Sequence, residues 1–183
     1  MKVILASASP RRKELLKRIF SEFEIKITDI DESIPEGIEN ANAPEYLAVK
    51  KAKAITPNRD DELIIAADTV VLLEGEILGK PEDDVDAERM LRNLSGKTHK
   101  VVTGCCLVMG NKISSFSVES EVTFYPLSDD EIANYVRKGL SKGKAGAYGI
   151  QDEGGLFVEK ISGDYYNIVG LPIAKLYQEI KNL

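Results

Sequence analysis

In the first third of the chain, short apolar runs typical of strands alternate with the apolar spacing of three and four residues that is typical of helices. Short apolar runs predict strands at Lys2–Ala6 and Phe23–Ile27, and apolar residues three and four apart predict a helix over Pro10–Phe20. The same helical spacing returns over Pro44–Ile55. The chain is therefore expected to begin as a β-α-β unit followed by a second helix.

Four strands are predicted in the middle of the chain, at Leu63–Leu73, Ile77-Leu78, Thr98–Met109 and Ile113–Phe124. The first is an almost wholly apolar run that turns at Glu74-Gly75 and forms a hairpin with the second. The third and fourth strands form an antiparallel pair. A helix that begins at Asp83 or Asp84 and ends at Gly96 is expected between the two pairs.

Two helices and two strands are predicted in the last third. Ser128 and Glu131 have the spacing of a capping box that opens a helix. A hairpin is predicted from Leu156–Ile161 and Tyr165–Val169, and a terminal helix from Pro172. This order predicts an α/β fold with a mixed, twisted sheet and flanking helices. No repeat or linker interrupts it, so we expect one domain over residues 1–183.

Composition narrows the class of protein. With 43% hydrophobic and 30% charged residues among 183, the chain has the composition of a globular protein. It has neither a secretory apolar segment nor a run approaching the ~20 residues of a membrane span. We therefore expect a cytoplasmic protein without a membrane partner. The net charge of -6 argues against a nucleic-acid partner, although locally concentrated positive charge could still bind an anion.

The cysteines and the histidine have structural interpretations. Cys105 and Cys106 are adjacent, so in a strand they face opposite sides and cannot form a mutual disulfide without strain. With His99 they are too few for structural zinc. No neighbouring residue in the sequence orients His99 as a base, so a packed or surface histidine is expected.

Two arginines break the charge rule for helix starts. Ser9 is a good N-cap and Pro10 a good first residue, but Arg11 and Arg12 occupy the first turn, where the helix dipole favours negative groups. A bound anion such as phosphate would remove this penalty. Two solvated arginines on a surface helix explain an isolated pattern of this kind equally well.

Lys51 and Asp68 are polar residues at apolar positions. Lys51 lies in the apolar stripe of the second predicted helix, where it either extends past its neighbours to water, the simpler interpretation, or meets an anion. Asp68 and Thr69 interrupt the apolar strand. A buried aspartate needs a metal, a lysine or a proton-transfer role, or else a β-bulge at which it bonds the backbone.

Two more charged residues are candidates for a site. Lys80 precedes Pro81, which favours extended backbone, and it could reach an anion at the strand ends. Glu32 belongs to an acidic loop that is either solvated or supplies a magnesium ligand.

Several short blocks together resemble the Maf family of nucleoside triphosphate pyrophosphatases. They are Ser7–Arg12, Leu47-Ala48 with Lys51-Ala52, Ala67–Val71, Gly79–Pro81, Leu94–His99, Gly146–Gln151 and Gly170–Pro172. They occur in family order over nearly the whole chain. The resemblance implies an architecture similar to the inosine triphosphate pyrophosphatases, with two lobes around a deep cleft, and a homodimer.

The resemblance also implies a reaction and a set of site residues. The reaction is hydrolysis between the α and β phosphates of a nucleoside triphosphate with Mg²⁺ or Mn²⁺. Asp68 would accept the proton of the attacking water, and Glu32 would join Asp68 as a metal ligand. The residues implied to bind substrate are Ser7, Ser9, Arg11, Arg12, Lys51, Thr69, Lys80 and Gln151.

The block that ends in Gln151 resembles the pyrimidine branch of the family, which acts on dTTP and UTP. An amide presents a donor beside an acceptor and so matches N3–H and O4 of uracil or thymine. A flipped amide would face cytosine, so Gln151 alone leaves CTP open. The chain departs from the family pattern at Asp152-Glu153, where glycine and a basic residue are expected.

Two other functions are compatible with these residues. One is a non-catalytic nucleotide sensor that regulates cell division, and the other is an enzyme that removes modified nucleotides. A carboxylate that faces phosphates weakens binding unless a metal or water lies between them, so Asp68 favours catalysis.

Overall fold

A computed structural model describes residues 1–55 and 61–183. Its strands are β1 (Lys2–Leu5), β2 (Glu24–Ile25), β3 (Glu62–Leu73), β4 (Glu76–Leu78), β5 (Thr98–Met109), β6 (Lys112–Phe124) and β7 (Val158–Ser162). Among the described residues these seven strands form one sheet in the order β2-β1-β3-β5-β6-β7, with β4 paired to β3. Strand β1 is parallel to β2 and β3, and the remaining pairs are antiparallel. The predicted mixed α/β sheet is confirmed.

The described helices are α1 (Pro10–Leu16), α2 (Ala43–Lys53), α3 (Asp84–Leu94), α4 (Asp129–Arg137), α5 (Tyr165–Val169) and α6 (Ile173–Asn182). Helix α1 ends before the predicted Phe20, and hydrogen-bonded turns continue to that residue. Asp83 caps α3 by accepting from Asp86 N. The capping box of Ser128 and Glu131 is present at α4. None of these helices is both long and apolar enough to cross a membrane.

The hairpin predicted near the carboxyl end is wrong. Residues Tyr165–Val169 form α5 instead of a strand, because Asp164 caps the first turn and Gly170, at φ +121°, ends the helix. The preceding strand begins at Val158, after a 3-10 helix over Glu153–Phe157. Helix formation places Asn167 in the interior.

Helices cover both faces of the sheet, so alternate residues of β3 serve two layers. Ile64 packs with Ala48 of α2 on one face, and Leu63 packs with Leu16 of α1 on the other. Burial on both faces explains why β3 is almost continuously apolar. Cys105 and Cys106 belong to opposite layers, and both are buried free thiols.

Gly104 determines how closely α2 approaches the sheet. A Cβ atom at this position would lie 2.1 Å from the Glu45 backbone nitrogen, so only glycine lets the first turn of α2 lie on β5. Gly104 pairs directly with Asp68 on β3. The same contact therefore brings α2 next to the polar interruption of the central strand. The two lobes and the single domain over residues 1–183 stay predictions.

Candidate active site

All ten predicted site residues line one cleft of about 680 Å³. They lie in the β1-α1 connection and α1, the loop before α2, α2 itself, β3, the β4-α3 connection and the turn near residue 151. They are Ser7, Ser9, Arg11, Arg12, Glu32, Lys51, Asp68, Thr69, Lys80 and Gln151. The fold thus collects residues that are far apart in the chain.

Positive charge is concentrated in this cleft although the protein is acidic. Among the described lining residues, five side chains are cationic and two are carboxylates, whereas the whole chain carries a net charge of -6. The cations are Arg11, Arg12, Lys51, Lys80 and Lys144. Such a local excess attracts polyanions of small size while the rest of the surface repels them.

One lysine joins the two carboxylates of the cleft. Lys51 Nζ donates to Asp68 Oδ1 over 2.6 Å and lies 2.8 Å from Glu32 Oε1. The Lys51 and Asp68 side chains are only 13% and 15% exposed. Lys51 therefore meets an anion, and the prediction that it extends past its neighbours is wrong. Asp68 lies in regular register with Gly104, so the β-bulge alternative is wrong as well.

Glu32 lies in the field of several cations. Its hydrogen bond with Lys51 lowers the pKa of Glu32 below its ordinary value, and the charges of Lys80 and Arg12 act in the same direction. Although its side chain is 55% exposed, Glu32 is therefore an ion-paired member of the site and not a freely solvated charge.

The two carboxylates provide a donor set that suits a hard divalent cation. Their oxygens share the Lys51 ammonium, so they lie close together, and carboxylate oxygen is the ligand type of Mg²⁺ and Mn²⁺. No cluster of three or more potential metal-ligating side chains exists within residues 1–55 and 61–183. A cation held here would need phosphate or water oxygens to complete its coordination.

Arg12 is anchored at three nitrogens. Its Nε donates to Gly170 O over 2.9 Å, one terminal nitrogen donates to Thr69 Oγ1 over 2.9 Å, and the other donates to Ser7 Oγ over 3.2 Å. The solvated-surface alternative is therefore wrong for Arg12. Burial lowers the pKa of the guanidinium from its ordinary value, and the charge of Asp68 opposes that effect. Ser9 N-caps α1 by accepting from the Arg12 backbone.

A buried hydrogen-bond chain that the sequence did not predict lies behind Arg12. Thr103 Oγ1 donates its single hydrogen to Asn167 O over 3.0 Å, so it must accept from Thr69 Oγ1, 2.9 Å away. Thr69 in turn accepts from Arg12. The Thr69 hydrogen consequently points away from the cleft, and Thr69 presents only a lone pair to a ligand.

Asn167 anchors this chain. It is fully buried, its Oδ1 accepts from Thr103 N over 3.1 Å, and its Nδ2 donates to Val101 O and Ser120 Oγ. All its side-chain polar groups are therefore paired. Because the sequence pattern placed Asn167 in a strand, no signal pointed to an interior position.

His99 lies outside the cleft lining. It is 1% exposed, packs edge-on against Phe124, and its Nε2 is 2.7 Å from Tyr148 Oη. Burial lowers the pKa of His99 to about 4. The sequence left a packed and a surface histidine open, and the structure shows a packed one.

Comparisons with known proteins find relatives along nearly the whole chain. A family model described as Maf-like protein matches residues 2–183. A dTTP/UTP pyrophosphatase of Bacillus cereus (strain B4264) is 46% identical over 180 residues, which cover 98% of this chain and 94% of the relative. A protein of the same name from Bacillus mycoides (strain KBAB4) is 45% identical with the same coverage.

Two solved structures share the architecture. A HAM1 protein from Coxiella burnetii is 15% identical with a TM-score of 0.53, and the match covers 100% of both chains. The Staphylococcus aureus Ham1 protein is 16% identical with a TM-score of 0.50, covering 68% of this chain and 72% of the other. At these identities the similarity shows the fold alone.

Proposed function

This chain belongs to the Maf-like protein family, and on that premise we propose that it is a nucleoside triphosphate pyrophosphatase that acts on dTTP and UTP. It splits the bridge between the α and β phosphates and releases a nucleoside monophosphate and pyrophosphate. One observation carries the proposal: Asp68 is held by Lys51 over 2.6 Å inside a cleft whose other charged groups are mainly cations.

The anchored guanidinium of Arg12 supports phosphate binding. Its three described hydrogen bonds leave one N–H on each terminal nitrogen for a ligand. Two N–H donors on one rigid fork suit a phosphate. Arg11, Lys51 and Lys80 supply further charge from other sides of the cleft. Ser7 and Ser9 contribute by holding Arg12 and α1 in place.

Asp68 accepts the proton of the attacking water in this proposal. Its carboxylate is largely buried, faces the cleft and is oriented by a hydrogen bond from Lys51. A base positioned in this way contributes roughly 10²–10⁴-fold to the rate. When a triphosphate enters the cleft, its phosphates become anionic partners of the Lys51 ammonium in addition to Asp68 and Glu32.

Glu32 and Asp68 would hold Mg²⁺ or Mn²⁺ together with phosphate oxygens of the substrate. A divalent cation, when bound, supplies positive charge that offsets the charge developing on the phosphoryl oxygens. This agrees with the preference of Mg²⁺ for one or two carboxylates plus substrate phosphates.

Gln151 selects the base. It is exposed at the cleft, and its amide offers the donor and acceptor that a uracil or thymine edge requires. Thr69, which can only accept from a ligand, would pair with a donor group of the nucleoside. A base with the wrong edge would leave buried polar groups unpaired, and this penalty provides discrimination.

The test is a measurement of pyrophosphate release from dTTP, UTP, CTP, 7-methyl-GTP and the purine triphosphates, with Mg²⁺ or Mn²⁺. Selective release from dTTP and UTP supports the proposal. Binding of these nucleotides without release would instead favour a nucleotide sensor and overturn it. The homodimer, the cytoplasmic location and the lack of nucleic-acid and membrane partners stay predictions.

A further inference from the structure

The turn that carries Gln151 is held in place by the residue that follows it. Gly149, Ile150 and Gln151 line the cleft, whereas Asp152 accepts from Gly154 N over 2.8 Å and caps the next 3-10 helix. Asp152 is also one of the two positions, with Glu153, at which the sequence departs from the pattern of the family that it resembles. Its contacts therefore bear on how the turn is presented to a substrate.

Asp152 joins the turn to two other segments. Its Oδ1 accepts from Tyr135 Oη of α4 over 2.9 Å, and its Oδ2 pairs with Lys144. Lys144 also donates to Leu140 O over 2.6 Å. The Asp152 and Lys144 side chains are 23% and 13% exposed, so water screens this pair less than a surface pair. We call Asp152, Tyr135 and Lys144 the Asp152 clamp.

Tyr135 closes the turn from the other end. Its hydroxyl donates to Asp152 and accepts from Gly149 N over 3.0 Å. One hydroxyl therefore bridges the residues on both sides of Ile150 and Gln151. A Cβ atom at Gly149 would lie 2.6 Å from Asp152 Oδ2, so glycine is required for this close packing.

We propose that Asp152 is a positioning residue for base selection, because the Asp152 clamp fixes the backbone from which Gln151 presents its amide. This inference rests on the proposed function. A fixed backbone limits the directions from which the amide can approach a base, so a mismatched edge stays unpaired. A loosened turn lets the amide reorient towards cytosine. Phosphate binding through Arg12, Lys51 and Lys80 is unaffected, because these cations lie on other elements and do not contact the clamp. Lys144 pairs with Asp152, and Arg11 feels the charge of Asp152, so these two cations are not independent of the clamp.

The test compares kcat/KM for UTP and CTP in the wild type, Asp152→Asn and Tyr135→Phe. Asp152→Asn keeps an oxygen that accepts from Tyr135, but it places an amide NH₂ group beside the Lys144 ammonium in place of a carboxylate oxygen. Tyr135→Phe removes the hydroxyl that bonds Asp152 and Gly149. In both, the preference for UTP over CTP falls about tenfold, as expected when a polar pairing is no longer enforced. Inorganic pyrophosphate has no base, so its inhibition constant reports phosphate binding alone. We expect this constant to change by less than about twofold in Tyr135→Phe.

Glu153→Gln is the matched control. Glu153 pairs with Lys138 over 2.6 Å next to Asp152, but both side chains are more than half exposed and neither lines the cleft. We expect the ratio of kcat/KM for UTP to that for CTP to be the same in Glu153→Gln as in the wild type. If both test variants fold, as thermal unfolding shows, and keep the wild-type ratio, the role of Asp152 is overturned. A wild-type protein that does not hydrolyse UTP overturns the proposed function instead.

Discussion

Lys51 and Asp68 are 17 residues apart in the chain and are joined by a hydrogen bond of 2.6 Å. The bond links α2 to the central strand β3, and it forms because Gly104 lets α2 lie on the sheet beside Asp68. A cation and a carboxylate that would each be costly to bury alone are thus buried together.

Replacing Asp68 by Asn tests its role as proton acceptor. Asparagine keeps an acceptor for Lys51 but cannot take a proton from water, so we expect kcat for dTTP to fall by about 10²–10⁴-fold. Nucleotide binding, measured by titration calorimetry, should be retained. A variant that binds dTTP and keeps kcat within about threefold of the wild type would contradict the assignment.

Replacing Lys51 by Met removes the ammonium between the two carboxylates. The pKa of Glu32, which the Lys51 hydrogen bond lowers, should rise towards its ordinary value. NMR titration of the Glu32 carboxyl group measures this change, and KM for dTTP should rise at the same time. The control is Lys50→Met, because Lys50 contacts Asp31 instead of Glu32. Equal Glu32 titration in both variants would argue against the shared ion pair.

Thr103 provides a test of the buried chain behind Arg12. In Thr103→Val the valine side chain has a shape similar to that of threonine, but it cannot accept the hydrogen bond from Thr69. The Thr69 hydroxyl is then free to turn its hydrogen towards the cleft. It no longer holds the Arg12 guanidinium, which donates to it, in a fixed orientation. We expect KM for every triphosphate to rise about tenfold, the effect of one misplaced charged hydrogen bond, with a smaller change in kcat.

Thr103→Ser restores the hydroxyl and should restore KM. Because Thr103 is fully buried and does not line the cleft, a purely structural role would lower thermal stability in Thr103→Val and leave KM unchanged. That outcome would remove Thr103 from the positioning of Arg12.

His99 makes stability depend on pH. In the unfolded chain its pKa is near 6.5, whereas burial lowers the pKa to about 4 in the folded protein. Between these values the unfolded state binds more protons, so stability is fully present above pH 6.5 and falls as the pH decreases towards 4. At pH 4.5 the protonation of His99 in the unfolded state should lower the free energy of unfolding by roughly 2.5 kcal/mol.

Urea unfolding at pH 7 and pH 4.5 measures this loss. His99→Gln, which does not titrate, serves as the comparison, because carboxylates contribute equally to both proteins. The free energy of unfolding of the wild type should fall further than that of the variant. Parallel decreases would mean that His99 is not responsible.

Most elements were predictable because their signals are local. The apolar run of β3, the antiparallel strand pair β5 and β6, and the capping box at Ser128 each have signals in neighbouring residues, and the structure contains all of them. The candidate residues were also visible locally. Asp68 interrupts an apolar strand, and Arg11 and Arg12 occupy a helix start that disfavours positive charge.

The hydrogen-bond and ion-pair partners of these side chains could not be predicted from neighbouring residues. The sequence allowed Lys51 either to reach water or to pair with an anion. The close packing of α2 on Gly104 places Lys51 beside Asp68 and Glu32, and it pairs with both. Such a choice depends on contacts between segments that are distant in the chain, and local periodicity carries no information about them.

The largest difference concerns α5. The apolar and aromatic residues of Tyr165–Val169 suit a strand, but the cap at Asp164, the end at Gly170 and the hydrogen bonds that Asn167 finds in the interior favour a helix. Residue types and local periods thus determined most of the elements and the candidate site residues of this protein. Tertiary packing decided which groups from distant segments pair, because a buried polar group is stable only beside a partner that the rest of the fold provides.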